Sequence, residues 1–320
     1  QISIDNFIAS SSSSRLMTGN FPEYVELERL LSDSFGTESA LIFNSGYHAN
    51  TGIIPALADK NTLIIADKLI HASLIDGIRL SGSTYLRYKH NDIDQLERLI
   101  SEHNDEYNKI IVATESIFSM DGDEANLSRL VDIKRRYSNV MLYVDEAHAV
   151  GVRGKKGLGC AEEQGVIGEI DCLVGTFGKA LGSVGAYIVC KKEMRELLIN
   201  KMRTFIFTTA LPPINISWSI FAFKQAMQMS SERAHLKHIS HLLKQLLEQK
   251  GYKNTSTSHI IPVVYGDSRT TMQKANELRD KGFYAVGVRP PTVPQGTSRL
   301  RISLNASITE EEIRQLANLI

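Results

Sequence analysis

The chain has 320 residues, 42% of them hydrophobic, and 36 basic against 36 acidic side chains leave no formal net charge. That is apolar material for a large core, more than one compact unit usually holds. The even balance excludes the basic excess of a general nucleic-acid binder and leaves room for a local basic site for a phosphorylated ligand.

The three cysteines, Cys160, Cys172 and Cys190, are sparse and lack metal-ligand spacing. They read as reduced, buried thiols. No apolar run reaches membrane-spanning length and no signal peptide is visible, so a soluble, cytoplasmic protein is expected.

Ser10 to Ser14 is the one low-complexity stretch and reads as a flexible loop. From Pro22 the pattern turns helical, with Val25, Leu27, Leu30, Leu31 and Phe35 on one broad stripe and Gly36 as the stop. Short apolar runs follow at Leu41 to Phe43, Leu63 to Ala66, Ile110 to Thr114, Met141 to Val144, Leu173 to Val174 and Ala186 to Val189. These are expected as buried strands. Amphipathic segments such as Ile93 to His103 and Leu127 to Tyr137 lie between them. The alternation predicts an α/β fold with a mainly parallel sheet covered on both faces. Ligands of such sheets sit at the carboxyl ends of the strands.

After Pro212 and Pro213 the character changes. A helical stretch from about Ile214 to Lys250, broken near Ser230, precedes a strand at Ile260 to Tyr265 and a helix at Met272 to Lys281. A Pro-rich turn, a strand at Leu300 to Leu304 and a helix opened by the Thr309/Glu312 capping box complete the chain. The expected division is a large domain over 1–212 and a smaller α/β domain over 213–320.

Asp145 and His148 follow the run Met141 to Val144. The pair fits a metal site, a helix cap with a surface His, or a carboxylate that holds a protonated ring nitrogen. Lys179 follows Cys172 to Gly175 among small residues. It is a surface lysine or a desolvated amine able to attack carbonyls. The TFGKALG spacing does not match a Walker loop. A ring-nitrogen carboxylate followed by a strand-end lysine is the pyridoxal-phosphate arrangement.

The sequence resembles the α-oxoamine synthase family of fold-type I pyridoxal-phosphate enzymes. The matching stretches are SRLMTGN at Ser14 to Asn20, FNSGYHAN at Phe43 to Asn50, HAS at His71 to Ser73 and ESIFSMDGD at Glu115 to Asp123. They continue with VDEAHAVGVRGKKGLG at Val144 to Gly159, TFGKALGSVGAY at Thr176 to Tyr187 and RPPTVPQGTSRLRISL at Arg289 to Leu304. They keep family order over nearly the whole chain. Members usually carry a further segment ahead of the stretch that matches Gln1, and many have Phe where Tyr47 stands.

The resemblance implies a Schiff base between Lys179 and pyridoxal 5'-phosphate. It implies Asp145 on the pyridine nitrogen, Ala147 and His71 on the two ring faces, and His148 and Ser119 at the phenolic oxygen. The phosphate falls to the amides of Gly46 and Tyr47, to Thr176, and to Thr208 and Thr209 from a partner subunit. Arg301 is implied as the clamp for the amino-acid carboxylate, with Arg15, His71 and Thr292 as further substrate contacts. The implied reaction is a decarboxylative condensation of an amino acid with an acyl thioester, with L-alanine and a pimeloyl thioester as the expected pair, in a homodimer with shared sites. The sister activities pair glycine with acetyl-CoA or succinyl-CoA, or serine with a long-chain acyl-CoA. A supporting subunit without catalysis is the other alternative.

Overall fold

Burial on both faces is what the apolar runs require, and the strands have it. The structure is a computed structural model and describes residues 9–320. These divide into two compact units, one of 9–116 and 125–229 and the other of 117–124 and 230–320.

The first unit runs α1 (Pro22–Phe35), β1 (Ser39–Phe43), α2 (Gly46–Leu57), β2 (Thr62–Asp67), α3 (Ala72–Ser81), β3 (Thr84–Tyr88) and α4 (Ile93–His103). It continues with β4 (Lys109–Glu115), α5 (Leu127–Arg136), β5 (Val140–Asp145), α6 (Cys160–Glu163), β6 (Cys172–Thr176) and β7 (Ala186–Cys190), and ends with α7 (Lys192–Lys201), α8 (Arg203–Ile206) and α9 (Pro213–Gln228). The sheet has seven strands in the order β1-β7-β6-β5-β4-β2-β3. β3, β2, β4, β5 and β6 run parallel, and β7 is antiparallel to both of its neighbours. Every residue of β1, β2 and β7 is buried, as in a sheet covered on both sides. The mainly parallel α/β expectation holds. The edge strand β3 carries no apolar run, because Thr84, Tyr85 and Arg87 face solvent.

Two expectations need correction. The stripe on α1 is Tyr24, Leu27, Glu28, Leu31 and Phe35, while Val25 is 59% exposed. Glu28 is buried as part of an ion-pair network, which hydrophobic periodicity cannot reveal. The boundary lies at Met229/Ser230 rather than at Pro213. Helix α9 buries Ile216, Ile220 and Phe223 within the first unit, where Phe223 stacks on Phe35. The break near Ser230 is real and separates α9 from α10.

The second unit holds α10 (Ser230–Gln249), β8 (Ile260–Gly266), α11 (Ser268–Asp280), β9 (Val286–Val288), β10 (Ser298–Ser303) and α12 (Glu310–Leu319). Its three strands are antiparallel in the order β8-β10-β9, which puts Arg301 of the central strand between Pro262 and Val286. The segment 117–124 joins this unit through Thr257 N–H to Gly122 O at 3.1 Å. The capping box at Thr309 and Glu312 forms as read.

Candidate active site

Three parallel strands end in polar residues at one edge of the sheet: β4 in Glu115, β5 in Asp145 and β6 in Thr176, with Glu115 and Asp145 directly paired in register. This is the strand-end position where ligands of such sheets bind. Asp145 is buried. Its Oδ1 accepts from the Ala147 amide at 2.8 Å, and its Oδ2 accepts from Asn50 Nδ2 at 2.8 Å. Two donors to one carboxylate fix its plane.

Lys179 sits in the turn after β6. The Thr176 hydroxyl donates to Gly185 O at 2.9 Å, and the Gly178 amide donates to Thr176 Oγ1 at 3.2 Å, so Thr176 braces that turn. The Lys179 side chain is exposed, and its Nζ lies 2.8 Å from Nε2 of His148. A lysine beside a neutral imidazole has a ready acceptor for one of its protons.

Helix α2 opens with Ser45 as its cap, whose side chain accepts from the His48 amide. Gly46 and Tyr47 are its first two residues, so their amides have no partner within the helix. A Cβ built on Gly46 would meet nothing within 4 Å, so the helix end faces open space. That is the arrangement helix N-termini use to take anions.

His71 caps α3 through its ring. Nδ1 accepts from the Ser73 amide at 3.2 Å and lies 2.7 Å from Ser73 Oγ, while the residue itself stays exposed.

Two buried carboxyl groups beside this cluster were not singled out from the sequence. Burial pushes Glu115 well above the usual carboxylate range, and Asp145 pushes the same way. Lys179 and the His71 amide oppose the shift. Its Oε1 is buried without a hydrogen-bond partner. Glu146 accepts from the Ser116 hydroxyl and from the amides of Cys160 and Ala161, and burial raises it to about 7. Both lie inside quoted motifs, but a carboxylate beside Asp145 reads from sequence as ordinary solvated charge.

The remaining expected residues make contacts of their own. Thr208 accepts from Asn44 Nδ2 at 3.1 Å, and the Thr209 carbonyl accepts from the same nitrogen at 2.7 Å. Arg15 lies in a network apart from the Lys179 cluster. Its guanidinium meets Glu28 at 2.5 Å and Asn20, lies over the Tyr24 ring at 4.2 Å, and shares Glu28 with Arg195. With 8% of its side chain exposed, it lines a cavity together with Ile42, Asn44 and Thr208.

In the second unit, Arg301 Nε donates to Ser119 O and Nη1 to Ser303 Oγ, each at 2.6 Å. No carboxylate pairs with it among the described residues, whereas Arg299, two residues earlier, pairs with Asp121. Burial without a counter-charge depresses the pKa of Arg301. Thr292 is exposed in the Pro-rich turn.

These residues fit pyridoxal phosphate by their donor chemistry. A buried carboxylate, an accessible amine beside an imidazole, an exposed imidazole face and an anion-ready helix end match the ring nitrogen, the aldehyde, the ring face and the phosphate.

Comparison with known proteins agrees. The aminotransferase class I and II family matches residues 3–320. The chain belongs to this family. A relative from Glaesserella parasuis that carries the provisional name 8-amino-7-oxononanoate synthase is 55% identical over 97% of this chain and 82% of its own length. One of the same name from Haemophilus influenzae is 53% identical over 96% and 81%.

Among solved structures of family members, serine palmitoyltransferase from S. paucimobilis, with pyridoxal phosphate and myriocin bound, superposes with a TM-score of 0.93. It is 32% identical and covers 98% of this chain and 79% of its own. 8-Amino-7-oxononanoate synthase from Francisella tularensis gives 0.83 at 30% identity, over 93% and 86%. This family member is therefore a fold-type I pyridoxal-phosphate enzyme, an acyltransferase of the α-oxoamine synthase kind. No helix among the described residues is long and apolar enough to cross a membrane.

Proposed function

We propose that the enzyme condenses L-alanine with a pimeloyl thioester. The products are 8-amino-7-oxononanoate, carbon dioxide and the free thiol, a precursor step of biotin synthesis. The observation that carries the substrate choice is the name of relatives 55% identical over 97% of the chain. Arg301 supports the amino-acid half, since a half-buried guanidinium without an acidic partner is a receptor for a carboxylate.

The bound cofactor supplies an electron sink for the pair left at the amino acid's α-carbon. Lys179 is both the anchor for the cofactor's carbonyl carbon and, once released, the base that takes the α-proton. His148, within hydrogen-bond reach of that amine, accepts or returns its proton. Asp145 holds the ring nitrogen protonated, and Gly46 and Tyr47 bind the phosphate with their amides. Ala147 and His71 cover the ring faces, and Ser119 sits with His148 at the phenolic oxygen. Thr292 contacts substrate.

We further propose a homodimer in which Thr208 and Thr209 complete the partner's phosphate site. Phe207, 72% exposed beside them, supplies apolar area for such a contact. Holoprotein sedimenting as a monomer at micromolar concentration would rule this out.

The likeness to serine palmitoyltransferase favours one second reading, serine with a long-chain acyl-CoA. Product identification by mass spectrometry decides between them, with alanine, glycine and serine each offered pimeloyl, acetyl, succinyl and palmitoyl thioesters. Alanine with pimeloyl thioester is expected to turn over fastest, and CoA and carrier-protein forms of the donor are compared in the same panel.

A further inference from the structure

Asn50, on α2, has no part in the roles described so far, yet it is 1% exposed and its side-chain amide is hydrogen-bonded through both its nitrogen and its oxygen. Its Nδ2 donates to Asp145 Oδ2 at 2.8 Å and to Ser73 Oγ at 2.9 Å, and its Oδ1 accepts from Tyr143 OH at 2.6 Å. The amide orientation follows from chemistry: turned over, its carbonyl oxygen would face the Asp145 carboxylate, acceptor against acceptor. Ser73, also 1% exposed, accepts from Asn50, so its one hydroxyl proton is left for His71 Nδ1 at 2.7 Å. That nitrogen also accepts from the Ser73 amide. A ring nitrogen that accepts twice carries no proton, so the neutral imidazole keeps its proton on Nε2, away from Ser73.

The packing that makes this possible is tight. A Cβ on Gly77 of α3 would come within 2.3 Å of Asn50 O, so only glycine lets α3 approach α2 closely enough for Ser73 to reach Asn50.

We propose that Asn50 is a positioning residue that sets two groups at once. It orients the Asp145 carboxylate directly, and through Ser73 it holds His71 as the Nε2–H tautomer. Tyr143 locks the amide that does both. The inference rests on the assignment of Asp145 and His71 to the cofactor site and goes beyond it, since it concerns how the fold prepares them. His71 thereby offers a hydrogen-bond donor at the open edge of its ring, suited to an anionic substrate group and unsuited to a cation.

The test is nitrogen NMR on the holoprotein labelled with 15N-histidine, with the His71 resonances identified by their loss in His71→Gln. Cofactor affinity is titrated by the visible band in parallel. Wild type is expected to show His71 as a single Nε2–H tautomer. Asn50→Ala frees Ser73 to accept as well as donate, so His71 should become a mixture of tautomers. Loss of one hydrogen bond to the Asp145 carboxylate should raise the cofactor dissociation constant about 10-fold to 100-fold. Ser73→Ala, which removes one buried oxygen and stands in should Asn50→Ala not fold, leaves only the backbone amide on Nδ1, so an Nδ1–H form should appear beside the Nε2–H form while cofactor affinity stays within roughly twofold, because the Asn50–Asp145 bond survives. Ser73→Thr keeps the hydroxyl and should restore the single tautomer. An Nδ1–H His71 in wild type, or a tautomer unmoved by both deletions, overturns the proposal. A wrong condensation product with the expected tautomer pattern would sink the substrate assignment alone, and the right product without that pattern would sink this inference alone.

Discussion

Lys179 Nζ lies 2.8 Å from Nε2 of His148. Each residue stands after its own parallel strand, β6 and β5, so two neighbouring strand ends place an amine and an imidazole at hydrogen-bond distance. If the site works as proposed, the purified holoprotein absorbs in the visible, and borohydride fixes the cofactor on Lys179, as a peptide map will read. Lys179→Ala should lose at least about 10³-fold in condensation rate, since anchor and base go together. A label on another lysine would defeat the assignment.

Asp145 accepts two hydrogen bonds, from Ala147 and Asn50, and its replacement by Asn keeps the shape but removes the charge. The amide must also set a donor against one of those two donors. Asp145→Asn is expected to lower kcat about 10²-fold to 10³-fold, as for loss of a preorganised charge at a reacting centre. It should also shift the visible band, because the ring nitrogen loses its counter-charge. Steady-state rates and absorbance spectra at matched cofactor saturation check both.

Arg301 is the next test. Its guanidinium has carbonyl and hydroxyl partners and no acidic one among the described residues, so it is available to a substrate carboxylate. Lysine cannot reproduce a paired, planar contact. Arg301→Lys should raise the apparent KM for the amino acid at least about tenfold, with cofactor affinity unchanged. An unchanged KM would move the carboxylate clamp elsewhere, with Arg289 the first residue to try.

Glu146 predicts a pH dependence of stability. Burial raises its folded-state pKa from 4.5 to about 7. A carboxyl with a raised folded pKa contributes stability that is fully present below the unfolded value and is lost as pH rises through the folded one. Relative to Glu146→Gln, wild type should therefore lose up to about 1.4 kcal/mol per pH unit between those two values and run parallel to the variant above them. Urea unfolding midpoints across that range measure the difference. Curves parallel throughout would show that the three donors around Glu146 keep it ionised.

Six of the sheet's seven strands were legible in the sequence because each carries a local apolar run, which β3 lacks. Asp145 comes directly after the run of β5, and Lys179 stands four residues after the run Cys172 to Gly175 of β6, at the strand ends where a parallel sheet puts its ligands. The Thr309/Glu312 capping box is likewise local, four residues deep. Tertiary structure decided what depends on residues far apart in the chain. Asn50 meets Asp145 across 95 positions, and Glu28 is buried because Arg15 and Arg195 both neutralise it. From sequence, Asn50 is one more polar residue on a helix and Glu28 one more solvated charge. Helix α9 reads as the start of a new domain after Pro212 and Pro213, yet its apolar face is taken up by α1. Periodicity reports that a face will be buried, while the partner, and so the choice between structural ion pair and site, is set by which strands and helices the fold brings together.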